Sequence, residues 1–198
     1  MEFALALPLF LALMGAGIEL SFVMVTAVKV QRLATMTADL VARDGSSDHR
    51  LTEAQVYDIF ASMNLSAEPL DVRQNGRVII TAVLGEDGDG DGVAEVNRIK
   101  WQRFDGGLIP TRSQIGCWSE STVAAGIGRQ LNPAEPLFHA QVSYDYEPVF
   151  SSTLVKWLNV PQTITRTATF RGRGASYHPV MAVAGFEPKT DCDSPTGL

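Results

Sequence analysis

The first 28 residues, Met1–Val28, contain no Lys, Arg, Asp or His and carry charge only at Glu2 and Glu19. From Phe3 to Val28 they run for 26 residues, longer than the roughly 20 apolar residues a helix needs to cross a bilayer. A secretory signal would have a basic start and an apolar stretch of about 7–15 residues, and this segment matches neither. As a core helix it would present about 39 Å of nearly all-round apolar surface, more than the rest of the chain could cover. We therefore expect a membrane anchor followed by one polar, Gly/Pro-punctuated head.

The helix is not expected to stop at the bilayer. After Lys29 the apolar residues Val30, Leu33, Met36, Leu40 and Val41 keep a helical period, and Gly45 with Ser46 and Ser47 supplies a stop. One helix over about residues 2–43 would be roughly 60 Å long, with an amphipathic second half whose stripe packs on the head. The division is thus 1–45 as transmembrane and assembly helix and 46–198 as a globular head.

Three residues of the apolar run need their own account. Glu19 near mid-bilayer would cost at least roughly 2.5 kcal/mol, so it must be protonated, at an interface, or paired with a neighbouring subunit. Glu2 lies closer to the end, where snorkelling is easier. Pro8 removes a backbone hydrogen bond and is expected to kink or loosen the helix locally.

The net charge of −6 and the lack of any Lys/Arg run beyond two neighbours exclude the basic footprint that nucleic acid requires. Cys117 and Cys192 permit one disulfide, which fits an oxidising compartment; two buried free thiols fit the sequence as well.

In the head, Thr52-Glu53-Ala54-Gln55 reads as a capping box opening a short helix that buries Val56, Ile59, Phe60 and Met63. Asn75-Gly76 between Leu70–Gln74 and Arg77–Leu84 reads as a β-hairpin turn. Further strands are expected at Val96–Phe104, Phe138–Tyr146 and Thr163–Arg171, and Ser152–Leu158 as a helical turn or hydrophobic loop. These alternating, β-branched runs predict an α+β fold, a small antiparallel sheet packed against the long helix.

The acidic loop Glu86–Glu95 places Asp87, Asp89 and Asp91 at positions 1, 3 and 5 of a calcium loop, with Glu95 at 9. Arg98 stands where the bidentate Glu would be, and no entering helix precedes the loop, so it is not an EF-hand. The pattern suits Ca2+ of modest affinity, and equally suits ordinary turn chemistry on a solvated hairpin. His49, His139 and His178 are scattered, and no Gly-x-Ser-x-Gly elbow, P-loop or dinucleotide fingerprint is present. Trp101, Trp118 and Trp157 are expected in core or membrane-proximal packing. An enzyme is not expected.

The order Glu2-Phe3, Pro8, Glu19 within EFALALPLFLALMGAGIEL resembles the TadE-like pseudopilins of the tight-adherence (Tad/Flp) branch of type IV pilus systems, and WQRFDGG at 101–107 resembles their Trp-centred strand. The resemblance implies a pilin-like, single-pass inner-membrane protein with a periplasmic head, which becomes extracellular where it enters the pilus. Its partners would be other pilins and pseudopilins, the assembly platform, and a prepilin peptidase acting on a leader. Glu2 matches the glutamate that neutralises a neighbour's terminal amine in the filament, a pairing that makes its burial tolerable. Family members have the leader glycine and four residues before this glutamate, whereas only Met1 precedes it here. The expectation is a start codon placed too far downstream or a missing leader. Lys29 and Arg32 taken alone would put the head in the cytoplasm, against the resemblance. The alternative function is a membrane-tethered binding or sensor module, with or without calcium.

Overall fold

A computed structural model describes residues 2–44, 50–119, 123–128, 130–133, 135–149, 161–172 and 177–194, with side chains of the first helix from Ala6 onward. The expectations for Ser152–Leu158, Trp157 and His49 lie outside these residues, as does the expected stop at Gly45.

Helix α1 runs unbroken over Glu2–Asp44, through Pro8. Helix α2 (Glu53–Ala67) starts at the capping box: the Gln55 N–H donates to the Thr52 hydroxyl at 3.3 Å, and the Thr52 N–H donates to Gln55 Oε1 at 2.8 Å. Two of the four orphan donors at that end are thereby satisfied. The inward face of α2 is Val56, Ile59, Phe60 and Met63, all buried.

The Asn75-Gly76 hairpin is not present. Leu70–Gln74 is not a strand; Val72–Asn75 forms a single helical turn, α3, where the Gln74 N–H donates to Asp71 Oδ1 at 3.0 Å. Gly76 has φ −132° and ψ 178°, extended backbone and not a turn conformation, and it opens strand β1 (Gly76–Glu86). The hairpin lies elsewhere: β1 pairs with β2 (Val96–Asp105) across the acidic loop. Strands β3 (Pro136–Asp145) and β4 (Thr163–Arg171) complete an antiparallel sheet of order β2-β1-β3-β4.

Alternation along the strands gives the sheet two different faces. One face, with Val78, Ile80, Ala82, Phe138, Val142 and Ile164, packs with Trp101 against α1 and α2 in the main core. The opposite face is partly polar and is covered by the long connection between β2 and β3 and by the C-terminal segment. Gln102 holds that connection by donating to Thr81 Oγ1 (2.9 Å), Ser113 Oγ (3.0 Å) and the Gly116 carbonyl (3.1 Å). Gln141 holds it by donating to the Arg112 carbonyl at 2.9 Å and accepting from the Gln114 N–H at 2.9 Å. Buried polar side chains persist because each finds partners.

Candidate assembly helix and its seat on the head

Along α1 the surroundings change at Glu19. From there a buried stripe follows the helical period through Thr26, Val30, Leu33, Ala34, Thr37, Ala38, Val41 and Ala42, and lies on β3 and β4. Before it, Ala6–Met14 are exposed throughout. Leu9, Phe10 and Leu13 are 64%, 63% and 65% exposed, and because the exposed run of Ala6–Met14 covers more than two full turns this half is apolar and uncovered on every side. Such a surface signals contact with lipid or with other chains. This is one helix long and apolar enough to cross a membrane. A Cβ built on Gly15 or Gly17 would meet nothing within 4 Å, so the chain's own packing does not require glycine at either position.

Glu19 is fully buried. Its Oε1 accepts from the Tyr146 hydroxyl at 2.6 Å and from the Val149 N–H at 3.2 Å. The carboxylate therefore has partners in its own head, where the sequence suggested an interface position or a neighbouring subunit. Burial, and after it the hydrogen bond and charge of Glu19, raise the Tyr146 phenol above its ordinary value, so it remains the donor. Further along, Lys29 donates to the Glu68 carbonyl at the end of α2 and Gln31 donates to the Thr167 carbonyl of β4 at 3.3 Å. These contacts fix the helix in both rotation and height on the sheet.

The remaining residues singled out from the sequence are dispersed. Glu2 and Phe3 belong to α1, with side chains outside the described residues, and Pro8 sits inside the helix. Cys117 and Cys192 are joined by a disulfide with Cα atoms 6.3 Å apart, tying the β2–β3 connection to the C-terminal segment on the outer face. Asp87, Asp89, Asp91 and Glu95 each offer an oxygen, all within 4.8 Å of one another, and these are the residues that could hold a cation. All four carboxylates also accept from backbone N–H groups of the same loop: Asp87 from Gly90 and Gly92, Asp89 from Asp91, Asp91 from Val93, and Glu95 from Gly88. The Gly92 N–H, ahead of the other donors, holds the Asp87 carboxyl below its ordinary range. Positive φ at Gly90 (80°) and Gly92 (87°) shapes the turn.

Two contributors were not evident from the sequence. Tyr146 reads there only as an alternating strand residue, and no local signal links it to a glutamate 127 positions away. Arg77 is fully buried beneath the C-terminal segment, donating to the carbonyls of Gly106 (3.2 Å), Cys192 (3.0 Å) and Ser194 (3.1 Å).

The fold and the site define a class: an α+β head seated on the second half of a long helix whose first half is bare and apolar. The family model for TadE-like protein matches residues 1–45, a span that includes the whole of α1. No curated protein matches the chain, and no solved structure does.

Proposed function

We propose that this protein is a structural subunit of a Tad/Flp pilus system, a TadE-like minor pilin or pseudopilin. In this reading α1 anchors it in the inner membrane, the head stands on the periplasmic side, and residues 1–45 assemble with other pilins, pseudopilins and the assembly platform, while 46–198 form the displayed domain. One observation carries it: the TadE-like segment is the helix whose first half is apolar on all sides and which its own head leaves uncovered. With Glu19 capped by the head, residues 2–18 are the stretch left for hydrocarbon, about 26 Å of helix against a core of roughly 30 Å. Gly15, Ala16 and Gly17 then let a neighbouring helix approach closely. A prepilin peptidase joins the partners where a leader precedes Glu2.

The test is Glu2→Ala, scored for membrane insertion and for recovery in sheared pili. Insertion unchanged with incorporation lost is expected; normal piliation overturns the reading.

The convergence of Asp87, Asp89, Asp91 and Glu95 favours a second reading, a tethered binding head that uses calcium. Calcium titration of wild type and Asp89→Asn, followed by thermal unfolding, decides it. Stabilisation by calcium that is lost in the variant supports this reading, and an unchanged melting curve removes it.

A further inference from the structure

The outer face of the sheet carries a cleft of about 530 Å³, within the range of roughly 300–1,000 Å³ typical of small-molecule sites. Its floor is Leu137 and His139 of β3 with Thr167, Thr169 and Arg171 of β4. Its wall is formed by Ile115 and its neighbour Gln114 together with residues 126–128. The sheet register sets His139 directly opposite Thr169 and Leu137 opposite Arg171, so these side chains share one face.

His139 is the informative member. It is 5% exposed, lines the cleft, and has its Nδ1 enclosed without a hydrogen-bond partner. An unsatisfied buried polar atom costs the fold stability. Leu137, two residues earlier on the same face, shows that an apolar side chain fits this floor. The fold alone therefore gives no reason for an imidazole here. Burial lowers the His139 pKa to about 4, so the ring is neutral at physiological pH, with one N–H donor and one acceptor nitrogen. With Nδ1 sealed, the other ring nitrogen is the one that can serve a ligand.

The cleft's charge is balanced as well. The Arg171 guanidinium is 2.5 Å from Glu135 Oε1, so the one cation among the described residues lining the cleft is already paired. What remains is a set of neutral groups over the apolar surfaces of Leu137 and Ile115: two threonine hydroxyls and the Gln114 amide, each able to donate and accept, and one nitrogen of a neutral imidazole that donates or accepts according to its tautomer. That composition complements a molecule with several hydroxyls on a carbon ring.

We propose that this cleft binds an uncharged polyhydroxylated ligand, a pyranose unit of a glycan, through Thr167, Thr169 and His139. The binding is a property of the head and stands apart from assembly through α1.

The test uses the full chain in amine-oxide micelles, which avoids sugar-based detergents. Glucose, galactose and N-acetylglucosamine are each titrated to millimolar levels against the 15N-labelled imidazole of His139, with phosphate and acetate in parallel. A saturable shift with at least one pyranose is expected, weakened about tenfold in Thr169→Val, which keeps the strand's shape and loses one hydrogen bond. The same titration read on backbone amides of the cleft loses its response in His139→Gln. The proposal is overturned by no response to any of the three sugars, by an undiminished response in Thr169→Val, or by a response to phosphate or acetate that equals or exceeds that to sugar.

Discussion

Tyr146, the residue after β3, donates its hydroxyl proton to Glu19 at 2.6 Å, and so joins the sheet to α1 at the residue where the buried stripe begins. Above this point the helix is part of the head's core; below it the helix is bare. The contact gives a carboxylate in an apolar run a partner within its own chain, and fixes how much helix the head leaves free.

Removing the hydroxyl isolates the effect. Tyr146→Phe leaves Glu19 buried without the hydroxyl that donates to it at 2.6 Å, and the expected loss is about 1–3 kcal/mol. Replacing both residues, as in Tyr146→Phe with Glu19→Leu, removes donor and acceptor together and should recover much of that loss. Denaturant unfolding of the four proteins in one detergent, read by near-UV circular dichroism, completes the cycle. Strict additivity of the two changes would mean that the residues are not coupled.

A second prediction concerns the outer face. The C-terminal segment is held there by the Cys117–Cys192 disulfide, by the carbonyls that Arg77 engages, and by the buried pair of Lys189 with Asp105 at 2.7 Å. The bridge spans a sequence separation of 75, for which chain-entropy reasoning gives about 4 kcal/mol of stabilisation. Cys117→Ser with Cys192→Ser should lower the unfolding midpoint by a matching amount, and reduction of the wild type should reproduce it. Arg77→Met tests the neighbouring clamp, because it keeps the bulk and leaves the carbonyls without their donor. Equal stability of Arg77→Met and wild type would show that the disulfide and the Lys189–Asp105 pair retain the segment without the guanidinium.

How far the fold was legible depended on the range of the signal. The capping box at Thr52, the inward face of α2 and the bounds of β4 follow from residues a few positions apart, where hydrogen bonding and side-chain period are decided locally. The first half of α1 was legible for the same reason, as an unbroken apolar run. The seat of Glu19 was not, since its partner is brought close only when β3 folds against α1. The outer face was obscured because Gln102, Gln141 and Ser143 read as exposed strand positions until a long loop covers them.

Asn75-Gly76 misled for a different reason: the dipeptide is a strong turn signal, but here the glycine serves a close approach. A Cβ on Gly76 would lie 2.7 Å from the Val72 carbonyl oxygen and 2.9 Å from that of Ser143, both backbone atoms that cannot swing away. Gly76→Ala should therefore destabilise by about 1–3 kcal/mol, as overpacking does, although alanine is comfortable at φ −132°. Asn75→Ala, by contrast, should cost under about 0.5 kcal/mol, where a type I′ hairpin turn would have lost far more. Unfolding midpoints of the two variants separate close packing from turn geometry.

The last prediction is a pH dependence. Burial lowers His139 from the ordinary histidine value near 6.5 to about 4, so the native state keeps the ring neutral while the unfolded chain takes up a proton as pH falls below about 6.5. Between those two values the unfolded state binds more protons, and stability falls with falling pH. The contribution is fully present above about pH 6.5, and up to about 3 kcal/mol is lost by the time pH reaches 4. The carboxyls held low by their donors, such as Glu86 beside Lys100 and Arg98 and Asp191 beneath the Asp193 N–H, act in the same direction but lower, from about pH 4 downward. Among the described residues lining the cleft, the other ionisable group is Arg171, which is paired with Glu135. The interval from pH 7 to 5 therefore isolates the histidine. Wild type should lose stability across it and His139→Gln should not; denaturant midpoints at matched ionic strength measure both. Parallel curves for the two proteins would mean that the ring is protonated in the folded state, and that the cleft floor is wetter than its burial implies.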